Sequence, residues 1–290
     1  MASEVEQRIR DTARKILESG EAGVVVGYGA GSTPDKVMPV FITNPADVEK
    51  LVWNDRCYNN LSLYLTKPLV RKFGKVAMIG KGCDIRAAIV LWQESQFPRE
   101  KTIVIGVDCG GVAPIAGKPD DFRAKCATCD VKRPPVCDHL VENPAVDVKP
   151  ATTAEAKDDG LDSKSPAEKR AYWFNQFSRC IKCYACRGVC PLCYCDRCIV
   201  EKNRPQWILT SPHDLGNFEW NLVRAFHLAG RCVQCGECTR VCPSDIPLAA
   251  LNRKLAGVVR ESFDYEAGRS HETEPSFLSF KEDDAEEFIR

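Results

Sequence analysis

From Val5 to Val107 the hydrophobic positions alternate between two rhythms. Val5, Ile9, Ala13, Ile16 and Leu17 recur at helical spacing and stop short of Gly20, so the chain opens with an amphipathic helix. Ala22–Gly27 is a β-branched run, and Val37–Thr43 reads as a second strand. Asn44-Pro45 then starts a helix with Val48, Leu51 and Val52 on one side, and Leu61–Phe73 reads as helical around Pro68. Lys75–Gly80 is a strand, Asp84–Glu94 an apolar helix, and Thr102–Val107 a further buried strand. Strands alternating with helices predict an α/β domain with a parallel component over residues 1–142.

Beyond that domain the pattern changes. Residues 143–169 are rich in Ala, Lys, Asp, Ser and Pro, lack aromatics, and read as a flexible linker. Aromatics return at Tyr172, Trp173, Phe174 and Phe177, placed to shield a prosthetic group or to pack a core. Leu215, Phe218, Leu222, Val223, Phe226 and Ala229 share one helical face, with Gly230 as a cap. Ile246-Pro247 opens a last helix carrying Leu248, Leu251, Leu255, Val258 and Val259. A helical domain is therefore expected at 170–262. An acidic tail, 263–290, is expected to be solvated or to act as a docking arm.

Charge excludes more than it identifies. Forty basic and 40 acidic side chains cancel, and no basic stripe argues for nucleic acid or an anionic membrane surface. No apolar stretch approaches the roughly 20 residues that cross a bilayer, and the N-terminus lacks the apolar segment of a secretory signal. These features lead to the expectation of a soluble, cytoplasmic protein without membrane insertion. Seventeen cysteines, an odd number in C-x2-C spacing, do not resemble a disulfide framework. Thiolates kept for soft metals imply a reducing compartment.

The chemistry lies in two cysteine runs. Cys180, Cys183, Cys186 and Cys190 form C-x2-C-x2-C-x3-C-P, and Cys232, Cys235, Cys238 and Cys242 repeat it. A [4Fe–4S] cubane needs four converging thiolates, and in two-cluster domains the fourth cysteine of each run serves the other cluster. The expected ligand sets are Cys180, Cys183, Cys186 and Cys242 for one cluster, and Cys232, Cys235, Cys238 and Cys190 for the other. Paired zinc knuckles are the competing assignment.

The stretch from His227 through Cys232, Cys235, Cys238 and Cys242 to Pro243 resembles the α-helical dicluster ferredoxin domain of succinate dehydrogenase iron–sulfur subunits and heterodisulfide reductase C subunits. This resemblance covers roughly residues 171–260. It implies an electron-transfer role beside other redox subunits, or with a ferredoxin.

Further cysteines mark the α/β half. Cys83 follows one predicted strand, Cys109 closes the next, and Cys126 and Cys129 form a C-x2-C. Ligands gather at strand ends of open α/β sheets, so these four could converge on a metal or serve as buried structural thiols. Residues 24–129 resemble the N-terminal domain of the beta subunits of the hydrogenase and formate dehydrogenase that use coenzyme F-420, a deazaflavin. The likeness rests on Gly80-Lys81-Gly82-Cys83 leading into an Ile/Ala-rich helix, on Cys109-Gly110-Gly111 after a strand, on the C-x2-C, and on Arg56-Cys57-Tyr58 upstream. It implies FAD, a third [4Fe–4S] cluster on Cys83, Cys109, Cys126 and Cys129, and hydrogenase or formate dehydrogenase partners. Gly82 and Lys81 depart from the family's pattern. If FAD binds, Gly27, Gly29, Gly31, Ser32 and Lys36 are the candidate pyrophosphate loop, because glycines let backbone N–H groups approach an anion.

Of the remaining cysteines, Cys193, Cys195 and Cys198 are candidates for a fourth cluster or a zinc site with Cys137, or for free structural thiols. Cys57 reads as a buried thiol. The four histidines show no ligand spacing, and there is no Ser-His-Asp arrangement or Walker loop. The reading is an iron–sulfur electron-transfer subunit of a cytoplasmic oxidoreductase complex. A flavoenzyme exchanging hydride with a deazaflavin or nicotinamide carrier is the alternative, and a cluster-bearing structural adaptor the second.

Overall fold

The structure, a computed structural model, describes residues 3–113, 126, 129–148, 160–202, 204–277 and 282. Helix α1, Glu4–Glu18, starts where the Ser3 hydroxyl accepts the Glu6 N–H at 3.1 Å. It buries Val5, Ile9, Ala13 and Ile16, as its periodicity predicts. Gly20, at φ 71°, takes the left-handed conformation just beyond it.

Strands β1 (Val24–Ala30), β2 (Val37–Ile42), β3 (Val76–Gly80), β4 (Thr102–Val107) and β5 (His139–Val141) form one mixed sheet in the order β2-β1-β3-β4-β5. β2 pairs antiparallel to β1, and the other pairings are parallel. Every residue of β3 and β4 is buried, because apolar layers cover both faces of the sheet. Val25, Ala77, Ile79, Ile103 and Ile105 face α1. Val24, Val26, Met78 and Val104 face helix α3, Gly82–Gln93, through Ile85 and Ile89.

Local chemistry shortens two expected helices. Asn44-Pro45 yields a 3-10 turn, Pro45–Lys50, with the Asn44 side chain capping the Ala46 N–H. Leu61–Phe73 is not one helix but a 3-10 turn, Leu61–Thr66, followed by the short α2, Pro68–Arg71. Pro68 has no N–H to donate and holds Lys67 extended at ψ 134°, which breaks the run.

Among the described residues from 160 onward, every regular element is a helix: α4 (Pro166–Ser178), α5 (Ala185–Gly188), α6 (Asp214–His227), α7 (Glu237–Arg240) and α8 (Leu248–Phe263). Part of the expected linker, 149–159, lies outside the described residues. Its end is not linker. Ser165 and Glu168 form a capping box, Pro166 occupies the first turn, and α4 runs on to bury Phe177.

The tail is not free either. Tyr265 and Ala267 are buried in the core that holds α3, and the Arg86 guanidinium donates to the Ala267 carbonyl at 2.7 and 3.1 Å. The same core takes Leu192, Leu228, Val233 and Val259 from the helical half. Glu94 joins the halves again, accepting from Arg231 Nη2 at 2.6 Å and the Tyr194 hydroxyl at 2.8 Å. Apolar burial across this seam replaces the expected picture of two halves held only by a tether.

Candidate metal centres

Three cavities are lined by four or more cysteines each. The first, of about 20 Å³, is lined by Cys180, Cys183, Cys186 and Cys242, with Tyr184, Trp220, Ile246 and Leu248 around them. The second, also about 20 Å³, is lined by Cys190, Cys232, Cys235 and Cys238, with Leu192, Leu228 and Val233. Each cavity takes its fourth cysteine from the other run.

The two runs fold alike. Lys182 and Tyr184 have φ of 49° and 57°, and Gln234 and Gly236, at the equivalent positions, have 58° and 73°. These left-handed steps coil the C-x2-C-x2-C loop, and a short helix, α5 or α7, follows each. The coil turns backbone donors inward: the Lys182 N–H reaches Cys180 Sγ and the Gln234 N–H reaches Cys232 Sγ, each at 3.4 Å. Asn252 Nδ2 lies 3.8 Å from Cys238 Sγ.

A third cavity, of about 410 Å³, lies against the C-terminal ends of β3 and β4 and is lined by Cys83, Cys109, Cys126 and Cys129. Cys83 opens α3, where the Lys81 N–H donates to Asp84 Oδ2 at 2.9 Å. Lys81 and Asp84 also form a buried ion pair at 2.9 Å, with the Tyr28 hydroxyl against both. Cys109 follows β4, and its sulfur accepts the Gly111 N–H at 3.4 Å. Gly111, at φ 112°, lets the chain pass close to Cys126, since an added Cβ would sit 3.2 Å from that residue's own. Arg133 grips Asp108 with two hydrogen bonds of 2.8 and 2.9 Å and fixes the segment after Cys129 to the sheet. Val233, Gln234 and Cys235 line this cavity and the second one, so the two share a wall.

The donor sets suit iron–sulfur clusters. All four potential ligands of each site are thiols. Among the described residues no three His, Cys, Asp or Glu side chains close on a single ion. A ring of soft donors around a void fits a polynuclear cluster better than one zinc ion. Burial pushes the Cys186 thiol up to about 12 and the Cys232 thiol up to about 11, so thiolates here require a cation to hold them.

Other expected groupings do not form. Gly27 and Gly29 lie inside β1, where an added Cβ on Gly27 would come 2.5 Å from Leu51 and 2.8 Å from Ile79. Gly31 spends its N–H on the Lys36 carbonyl at 2.8 Å, and Ser32 and Lys36 belong to the β1–β2 hairpin. These glycines clear space for packing instead of cradling a phosphate. Cys137 sits beside Gly106, held by the Asp138 N–H bond to the Val104 carbonyl at 3.0 Å. Cys198 packs in the core around Phe177 and Trp220, Cys193 lies against Cys190, and Cys195 is exposed. Cys137 thus has its own neighbours on the sheet, apart from those of Cys193 and Cys198. Cys57 is buried, and burial pushes its thiol up to about 11.

The face expected of α6 is turned. Leu215 and Phe226 are 57% and 58% exposed, whereas Asn217, Trp220, Asn221, Arg224 and Ala225 are buried. That inward face meets the cysteine cavities, whose carbonyls and sulfurs want polar partners. Asn217 Nδ2 donates to the Cys180 carbonyl at 2.7 Å, and Arg224 Nη2 to the Cys186 carbonyl at 3.0 Å. Arg224 escaped the sequence reading. Its only signal was a helical position in register with Asn217, Trp220 and Asn221.

Residues 179–247 match the family model of the 4Fe-4S dicluster domain. The chain is similar to the F420-dependent formate dehydrogenase subunit beta of Methanocaldococcus jannaschii, 24% identical over 83% of this chain and 86% of that one. It is 24% identical to F420-dependent formate dehydrogenase 1 subunit beta of Methanococcus maripaludis, over 90% of each chain. A shorter match, 31% identical over 29% of this chain and 24% of the other, is to the polyferredoxin protein MvhB of Methanothermus fervidus. Likeness to the beta subunits thus extends beyond the α/β half. A 4Fe-4S dicluster domain inside a chain similar to formate dehydrogenase beta subunits is consistent with an iron–sulfur electron-transfer subunit.

Proposed function

We propose that this chain is an iron–sulfur electron-transfer subunit of a multi-subunit oxidoreductase, with [4Fe–4S] clusters at three thiolate sites. The observation that carries the reading is the set of three cavities lined by four or more cysteines each, the cysteines of two of them within the residues matched to a dicluster domain. Cys180, Cys183, Cys186 and Cys242 hold one cluster, and Cys190, Cys232, Cys235 and Cys238 the next. Cys83, Cys109, Cys126 and Cys129 hold the third. A bound cluster supplies one-electron redox chemistry. The chain itself buries Cys186, Cys238 and Cys242 and aims N–H donors at ligand sulfurs, which favours their anionic form. The helical half is of the α-helical dicluster ferredoxin kind, since its regular elements are helices and its two loops are joined through α6.

Partners are other redox subunits of the hydrogenase, formate dehydrogenase or heterodisulfide reductase kind, or a ferredoxin, in the cytoplasm. No helix among the described residues is long and apolar enough to cross a membrane. The test is iron and sulfide content after anaerobic reconstitution. Four irons per cubane give about 12 per chain for three sites, and a value near 8 removes the third.

A second reading adds an organic cofactor beside the third site. Its cavity, about 410 Å³ against about 20 Å³ for each of the others, is within the usual size of small-molecule sites. Lys81, Arg86, Arg253 and Arg269 line it and suit an anionic group such as the pyrophosphate of FAD. Flavin absorption in the supernatant after acid precipitation supports this reading, and its absence removes it.

A further inference from the structure

Arg224 is a buried charged side chain that touches both dicluster sites. It is 5% exposed, lines the cavity of Cys190, Cys232, Cys235 and Cys238, and donates through Nη2 to the carbonyl of Cys186 in the other site. The Cys193 thiol also lies beside its guanidinium. Among the described residues no carboxylate pairs with it; the titratable groups that face it are the thiols of Cys193, Cys186, Cys190 and Cys238. Its Nε is buried without a partner. A buried guanidinium normally meets a carboxylate or phosphate, because an unpaired interior charge is costly. This one is surrounded by cysteines.

We propose that Arg224 is a positioning and potential-setting residue shared by both dicluster sites, a fixed cation whose counter-ion is the clusters' own negative charge. The inference rests on the cluster assignment above. A cubane bound by four thiolates is an anion, and each added electron makes it more so. A guanidinium held in the dry wall between two such anions stabilises the more negative state of each, and so favours reduction at both. The free Nε–H is a donor left for a sulfur of the bound group. The α6 backbone sets the guanidinium's place, and the Cys186 carbonyl fixes its orientation.

The test is a redox titration of the full-length, reconstituted protein followed by EPR, comparing wild type with Arg224→Gln and Arg224→Lys. With iron content held at the wild-type value, Arg224→Gln should shift both dicluster couples to lower potential. At the wild-type midpoint, the reduced-to-oxidised ratio should fall by at least about tenfold for each, as removal of a buried charge implies. Arg224→Lys, which keeps the charge and loses the fork, should recover most of the shift. Unchanged potentials in an iron-replete Arg224→Gln protein overturn the proposal and leave Arg224 a structural strut. A shift confined to one couple overturns the shared role.

Should Arg224→Gln fail to hold iron, pulsed hyperfine spectra of wild type grown with ¹⁵N-arginine decide. Nitrogen coupling on both reduced clusters, lost in Arg224→Lys, supports the assignment. No coupling on either overturns it. If wild type itself yields no dicluster EPR signals, the underlying function fails, and that outcome is distinct from normal signals insensitive to residue 224.

Discussion

The helical half builds its two cavities from one repeated loop, while the α/β half gathers the cysteines of the third cavity from three separate places. In the helical half three cysteines of each site lie within seven residues of one another, and left-handed steps at matching positions coil both loops the same way. The third cavity gathers Cys83 from the start of α3, Cys109 from beyond β4, and Cys126 and Cys129 from the crossing to β5. Its geometry is inherited from a sheet that packs without it. The difference concerns what holds each half together. The α/β half has two layers of aliphatic side chains, but the helical half sets the cysteines Cys186, Cys238 and Cys242 inside its core, among Phe177, Trp220, Ile246 and Leu248. Metal should therefore be part of the core in one half and an accessory in the other.

Metal removal gives the largest effect. Anaerobic chelation should strip amide-exchange protection from α6 and α8 while leaving β1, β3 and β4 protected, because free ligands in a cysteine-lined core return their desolvation cost to the fold. Exchange mapped by mass spectrometry checks this. Equal loss in both halves would break the comparison and make the clusters a global requirement.

Next in size is Asp84→Ala. Asp84 is fully buried, pairs with Lys81 at 2.9 Å, and accepts the Lys81 N–H at the head of the helix that carries Cys83. Losing it strands the Lys81 ammonium in the interior at a cost of about 3–5 kcal/mol. Chemical denaturation should show that loss, and the iron count should drop from about 12 toward about 8 as the third site fails. Iron retained at wild-type level would mean that this ion pair supports the sheet and not the site.

The same contrast explains what could be read from the chain. Local signals worked well: the α1 periodicity, the buried runs of β3 and β4, and the doubled cysteine spacing each depend on residues close in sequence. The misses have several causes. β5 is three residues long and exists because β4 offers it an edge. The start of α4 carried its own signal in Ser165-Pro166-Ala167-Glu168, but the polar composition before it masked the capping box. The inward face of α6 was misread because hydrophobicity marks a core made of hydrocarbon. Here the core also holds sulfur and carbonyl oxygen, so Asn217, Asn221 and Arg224 turn inward beside Trp220, and Leu215 and Phe226 turn out. The glycines of β1 resembled a phosphate loop because close packing and anion binding both require the absence of a side chain.

That ambiguity can be broken with Gly27→Ala. The added methyl would meet Leu51 and Ile79 in the layer between sheet and α1. Overpacking of this kind costs about 1–3 kcal/mol, seen as a lower denaturation midpoint. Any flavin bound per folded chain should be unchanged. Lost flavin with stability intact would restore the phosphate-loop reading and move the cofactor away from the third cavity.

The smallest change, Ser165→Ala, sharpens the comparison most. The Ser165 hydroxyl caps the Glu168 N–H at the start of α4, and Glu168 Oε2 returns the bond to the Ser165 N–H at 2.9 Å. Removing such a cap costs about 1 kcal/mol. α4 touches the rest of the molecule through Trp173, Phe174 and Phe177, which pack on one another and on Phe218 of α6, with centroid distances of 5.4 to 6.0 Å. It contributes nothing to the sheet. If the halves are separate cooperative units despite their shared seam, exchange should quicken in α4 and α6 by roughly fivefold, as about 1 kcal/mol implies, with β3 and β4 unmoved. If Arg86, Glu94 and the buried Tyr265 instead weld the molecule into one unit, the slowest-exchanging amides of β3 and β4 should quicken by the same factor. The seam would then be a structural joint between the third cavity and the second, with the two halves opening only together.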